Sequence, residues 1–300
     1  VSAFALPASP IDLSLRLPDH ARMETTVDYT YEHAGPWRTE RRSSRTRYEK
    51  VITAREDGYR VSRRLLEFRP SAQDAAASDS FQTVVATAPA RDLSYAADKN
   101  LKPLSVENWY DLSSKISAGM RVAAKGDPDR ESSLTVALSL WAMTSPADAV
   151  HVVLRNEVEL FRPIGAVLEA GKSIVEEEPF AFAFDGHSIK ARSVLSLESL
   201  DVARGVAVLN YSRGADPGSL KEVLAEIVSQ IESDRGTPID AATLAALQFE
   251  DTTNCRYEID LKTGLPTKAK CEYKARATDM AFFDVVTRAE QWVMTQILKN

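Results

Sequence analysis

Residues 254–278 read NCRYEIDLKTGLPTKAKCEYKARAT, and the rest of the chain is best read outward from them. Odd positions carry the apolar side: Cys255, Tyr257, Ile259 and Leu261, then Leu265, Ala269, Cys271, Tyr273 and Ala275. Even positions carry charge: Arg256, Glu258 and Asp260, then Lys268, Lys270, Glu272 and Lys274. A period of two on both arms gives each strand one buried and one wet face. Lys262-Thr263-Gly264 separates the arms, and Gly264 supplies the left-handed residue of a short hairpin loop. Folding about Thr263 sets Cys255 opposite Cys271, and the chain has no other cysteine. The pairing predicts a disulfide, and a loop of this size contributes about 3 kcal/mol by restricting the unfolded chain. A three-residue loop places the pair at a hydrogen-bonded site, where the Cα atoms stand further apart.

Other stretches share the period of two. Residues 23–32 alternate Met23, Thr25, Val27, Tyr29 and Tyr31 with polar neighbours, and residues 33–36 (HAGP) turn the chain. Residues 37–54 and 59–69 read as two further strands about the turn at 55–58 (REDG). Residues 70–80 are small and polar, as in a surface loop, before strands at 81–88 and 92–97. Strands at 174–184, 188–197 and 202–211 follow in the second half. Residues 282–298 fit a strand or a helix; alternation of Phe283, Val285 and Thr287 favours a strand at the start. Tyr95 to Leu101 echoes Tyr257 to Leu265: tyrosine, two residues, aspartate, a turn, leucine. The echo is a weak sign of two related halves.

Helical spacing appears in the middle. Ser105 is placed to cap a helix bearing Trp109, Leu112 and Ile116; Leu134, Ala137, Leu138 and Trp141 mark another. Ser145-Pro146-Ala147-Asp148 opens a third, with Val150, Val153, Leu154, Val158 and Phe161 as its stripe and Pro163 and Gly165 at its end. Ser219 opens an amphipathic helix with Leu220, Val223, Leu224, Ile227, Val228 and Ile231. The expected fold is α+β: strongly bent antiparallel sheet with helices packed on its concave side. The expected organisation is an extended arm at 1–20, a meander with helices at 21–165, and a second meander with the cysteine hairpin at 166–300.

Several functions are disfavoured. The 300-residue chain has a formal net charge of −6, which argues against general affinity for nucleic acid. No stretch is apolar for the length of a membrane span. His20, His33, His151 and His187 are scattered without a second ligand at metal spacing. Gly186-His187-Ser188 begins like a nucleophile elbow, but Lys190 stands where the closing glycine belongs. No Gly-rich phosphate loop occurs, and Glu176-Glu177-Glu178 reads as a solvated face. These readings name no catalytic residue, metal or cofactor. Ala3-Phe4-Ala5 has the small-x-small form of a signal-cleavage site, and with the disulfide it predicts a periplasmic or secreted protein.

Two features remain as candidate sites. Arg38, Arg42, Arg45, Arg47, Arg63 and Arg64 form a basic ribbon suited to an anionic surface, or simply a charged strand edge. Phe180, Phe182 and Phe184 alternate along one strand, and with Leu224 and Ile227 of the following helix they form a candidate apolar pocket or ordinary core. A bent sheet with helical cover resembles, at the level of fold alone, envelope proteins that carry lipids or lipoproteins. That resemblance implies a non-enzymatic envelope protein that binds an apolar, lipid-like ligand or docks onto another envelope component. An envelope-polymer hydrolase working through carboxylates, or a structural subunit of a larger assembly, are the other readings.

Overall fold

In the computed structural model the described residues are 10–35, 39–70, 92–126, 134, 138, 143–181, 188–216, 218–219, 222–223, 225–226, 229, 249–279 and 284–299. The alternating stretch forms two paired strands, Phe249–Asp260 and Leu265–Asp279. Asp260 pairs directly with Leu265, so the loop has four residues, Leu261 to Gly264, and not three. Asp260 holds it by accepting from Thr263 N at 3.2 Å and Thr263 Oγ1 at 2.6 Å. Thr267 is an extra residue in the second strand, since Glu258 pairs with Lys268 and Ile259 with Pro266. Beyond this bulge Cys255 and Cys271 are bonded, with Cα atoms 4.1 Å apart. That spacing belongs to a narrow, non-hydrogen-bonded pair, which corrects the wider placement inferred from a three-residue loop.

This hairpin is part of one antiparallel sheet. Its strands are β2 (His20–Ala34), β3 (Thr39–Arg55), β4 (Gly58–Pro70), β5 (Leu93–Ala97), β6 (Pro103–Val106), β8 (Ser173–Ala181), β9 (Ser188–Asp201), β10 (Val206–Ala215), β11 (Phe249–Asp260), β12 (Leu265–Asp279) and β13 (Asp284–Lys299). The spatial order is β6-β5-β4-β3-β2-β13-β12-β11-β10-β9-β8. Two up-and-down meanders therefore join where β2 lies against β13, in register from Arg22–Lys299 to Ala34–Thr287. β13 is strand throughout; Glu290, Trp292, Met294 and Gln296 keep the period of two and point inward. Register shifts leave Leu66 and Leu104 without partners in β4 and β6, and both are exposed. Such bulges bend a sheet and turn the extra side chain outward. The outer strands are protected edges: β6 is short and begins with Pro103, and β8 carries Glu176, Glu177, Glu178 and Pro179.

The α+β expectation is wrong. Among the described residues, strands hold 61% and helices 17%. The fully described helices are α1 (Trp109–Ala124), α2 (Ala149–Val153) and α3 (Arg155–Phe161), all from one insertion after β6. The strands are long, up to the 17 residues of β3, and they supply most of the core themselves. Ser105 is not a cap, because it lies in β6 and α1 begins after Asn108. Ser145 holds the turn ahead of α2, whose cap position is Asp148: its Oγ accepts from Asp148 N at 3.1 Å and donates to Asp148 Oδ2 at 2.6 Å. Leu154 divides the predicted third helix into α2 and α3. The described residues between 218 and 229 are helical, and Asp216 rather than Ser219 caps them, accepting from Ser219 N at 2.8 Å. The strand expected at 81–88 lies outside the described residues.

An arm ahead of β2 lies against the Leu261–Gly264 loop. β1 (Ile11–Asp12) pairs with β7 (Val167–Leu168), and Leu13 is fully buried. Arg16 N donates to Thr263 O at 2.8 Å, tying the arm to the cysteine hairpin. Gly264 adopts φ +74°, and a Cβ there would stand 2.4 Å from Ser14 O. Glycine is needed at this loop both for its backbone and for the arm.

Candidate ligand-binding site

The short helix α3 and Arg162 after it, RNEVELFR, bring charge into the protein. Glu157 and Glu159 are buried, and each charged residue meets a different strand. Arg155 reaches Glu290 of β13 at 3.3 Å and lies over the rings of Tyr273 and Trp292. Glu157 accepts from Arg63 of β4 at 2.7 Å and faces Lys50 of β3 at 3.6 Å. The hydroxyl of Tyr257 in β11 donates to the Glu159 carbonyl at 2.8 Å. Arg162 holds the Glu159 carboxylate through two bonds of 2.9 and 3.2 Å, and stacks over Tyr211 of β10. The helix thus fixes both meanders to one short segment.

Burial pushes the Lys50 ammonium down to about 8, against the pull of Glu157. Burial alone would raise the Glu157 carboxyl, but Arg63 and Lys50 outweigh it and hold the group below its ordinary value. Lys50 is fully enclosed by Tyr48, Phe161 and Gln296, so this triad is a structural tie without solvent access. Nearby on the inner face, Tyr273 donates to Asp251 at 2.7 Å, and burial raises the Asp251 carboxyl. Arg288 donates to Glu290 at 2.7 Å and lies over Tyr31.

Beside α3 the inner face opens into a cavity of about 440 Å³. One wall is the segment after the helix, Ile164 to Val167; the other is β8 to β10, with Ile174, Glu176, Ser193, Leu195 and Tyr211. Arg162 stands at the junction. Gly165, with φ +81°, makes the turn into this segment. Tyr211 is buried, and its hydroxyl has no hydrogen-bond partner; burial keeps it protonated, with its pKa raised. A groove of about 380 Å³ lies on the outer face, lined by polar groups that include Ser196, Asn210, Ser212, Asn254 and Lys270.

The sequence-predicted sites fall as follows. Of the apolar-pocket residues, Phe180 has its backbone in β8, paired with Ile189, while Phe182, Phe184, Leu224 and Ile227 lie outside the described residues. Of the basic ribbon, Arg38 lies outside the described residues, and the others do not form one surface. Arg45 pairs with Asp28 at 2.6 Å, Arg47 with Glu24 at 3.1 Å and Arg64 with Glu49 at 3.1 Å. Arg42 pairs with Glu40, and Arg63 is in the interior with Glu157. Sequence reading missed the α3 network. The signal was present: Lys50 shares the inward parity of Tyr48 and Ile52. Among the described residues, no group of three His, Cys, Asp or Glu gathers as a metal site.

Similarity to known proteins is slight. No family model matches the chain, and no curated protein matches its sequence. A solved structure of lipovitellin, described for its lipid–protein interactions, aligns over 95% of this chain at 8% identity with a TM-score of 0.47. The alignment takes in 25% of the lipovitellin chain, so this chain spans about a quarter of that length. A likeness of that size carries no functional argument.

Proposed function

We propose that this chain is a non-enzymatic binding protein for an apolar, lipid-like ligand, held in the cavity between the Ile164–Val167 segment and β8 to β10. The cavity itself carries the reading. At about 440 Å³ it falls within the usual range for small-molecule sites. Ile164, Val167, Ile174 and Leu195 supply apolar wall beside the polar side chains of Arg162, Glu176, Ser193 and Tyr211. The disulfide supports an oxidising compartment, and so an exported or envelope protein. Asp251 is the one carboxyl among the described residues that burial raises, and its bond from Tyr273 suits a structural role better than hydrolysis. The direct test is titration with Nile red, a fluorescent apolar probe, against the wild type and Leu195→Trp. The added ring fills cavity space, so binding should disappear while the melting temperature holds. Absence of binding to the wild type, or equal binding by Leu195→Trp, would remove the proposal.

A further inference from the structure

Resting on that reading, we infer that the cavity's ligand is a cationic amphiphile, such as a long-chain amine, and that Glu176 selects it. β8 pairs Ile174 with Leu195, Glu176 with Ser193 and Glu178 with Ala191. Directly paired residues share one face of a sheet, and Ala191, Ser193 and Leu195 are buried. Glu176 and Glu178 therefore face inward, while Glu177, paired with Arg192, faces out. The three consecutive glutamates are divided between the two faces and do not form one solvated surface. Glu178 is committed, at 3.7 Å from Arg162 and 3.6 Å from Arg213. Arg162 also holds Glu159 through two bonds of 2.9 and 3.2 Å. Glu176 is different. It stands exposed on the cavity wall, and among the described residues it has no ion-pair or hydrogen-bond partner. A ligand cation can meet it without displacing any internal pair. An anion would have to take Arg162 from Glu159 and Glu178, or lie unpaired beside Glu176, and both are costly. Ile174, two residues away on the same face, joins Ile164, Val167 and Leu195 as the surface for the alkyl chain.

The test compares laurylamine, monolaurin and laurate, which carry alkyl chains of similar length, as competitors of Nile red at neutral pH below their aggregation limits. Laurylamine should bind about fivefold more tightly than monolaurin, the upper end for an accessible ion pair, and laurate should bind least. Glu176→Gln should erase the preference for the amine, and Glu176→Lys should turn it toward laurate. Glu177→Gln removes the same charge from the outer face and should leave the order as in the wild type. Monolaurin or laurate binding the wild type as tightly as laurylamine would overturn the inference while leaving the apolar-ligand reading intact. A preference kept by both Glu176 variants, or lost equally in Glu177→Gln, would overturn the role of Glu176 and leave it only the task of discouraging strand pairing at the β8 edge. Failure of Nile red and all three lipids to bind would remove the underlying reading, a result distinct from either.

Discussion

Lys50 Nζ stands 3.6 Å from Glu157 Oε1, and neither side chain reaches solvent. Glu157→Gln should therefore cost about 3–5 kcal/mol, since it takes from Lys50 and Arg63 their shared carboxylate. Lys50→Met should be near neutral or stabilising, because Arg63 still holds Glu157 at 2.7 Å. Urea melts of the two variants measure this; equal destabilisation by both would show that the ammonium is required.

The same site gives a pH dependence. Burial lowers Lys50 from 10.5 to about 8, so the unfolded chain binds more protons between those values. Stability from this group must then rise as pH climbs from about 8 to 10.5, and wild type should gain on Lys50→Met across that window. Glu157 behaves oppositely on the acid side. Its carboxyl is held below the ordinary 4.5, so its contribution is complete above 4.5 and declines as pH falls further. Melts across both ranges check the signs.

Reduction of the Cys255–Cys271 bond, or replacement of both residues by alanine, should cost about 3 kcal/mol, from the chain entropy of a loop of this size. Denaturation with and without reductant gives the difference. A cost near zero would mean that the hairpin is already formed in the unfolded ensemble.

Two tyrosines should answer differently to loss of their hydroxyl. Tyr257→Phe leaves the buried Glu159 carbonyl without its 2.8 Å donor and should cost about 1–3 kcal/mol. Tyr211→Phe removes a hydroxyl that bonds nothing and should change stability by less than about 0.5 kcal/mol. If both variants lose the same stability, the Tyr211 hydroxyl has a structural partner.

Gly264→Ala should release the arm. The φ of +74° costs a residue with a Cβ about 1–2 kcal/mol, and the new atom would strike Ser14 O. Tryptic cleavage at Arg16 should become faster in the variant. An unaltered rate would mean that the loop yields and the arm remains in place.

The strands were legible wherever one face is wet, because the period of two then appears as an alternation of apolar and charged residues. That rule located β2, β4, β11, β12 and the start of β13, and it paired the two cysteines. It failed where charge faces inward. Arg63 reads as a member of a surface ribbon, and only its partner Glu157, 94 positions away, reveals its direction. The cavity was illegible for a related reason: its walls come from β8 to β10 and a four-residue segment with no periodicity of its own. The α+β reading failed on proportion. Helical spacing marks a segment, but it does not show that the strands around it run to 15 residues or more and need little cover.

The β2–β13 seam has a kinetic consequence. Thr25 and Gln296 bond across it at 3.3 Å, although 271 positions separate them in the chain. All other neighbours in the large sheet are joined by shorter spans of chain, so each meander can assemble locally while the seam waits for β13. During synthesis β2 stands as a bare edge, with Val27 and Tyr29 uncovered, until the partner positions in β13, such as Gln296 271 positions beyond Thr25, have been made. Contacts of such long range slow folding, and an unpaired edge invites association with other chains. The yield of native protein should therefore depend on concentration and on holding chaperones more than on the stability of the finished sheet.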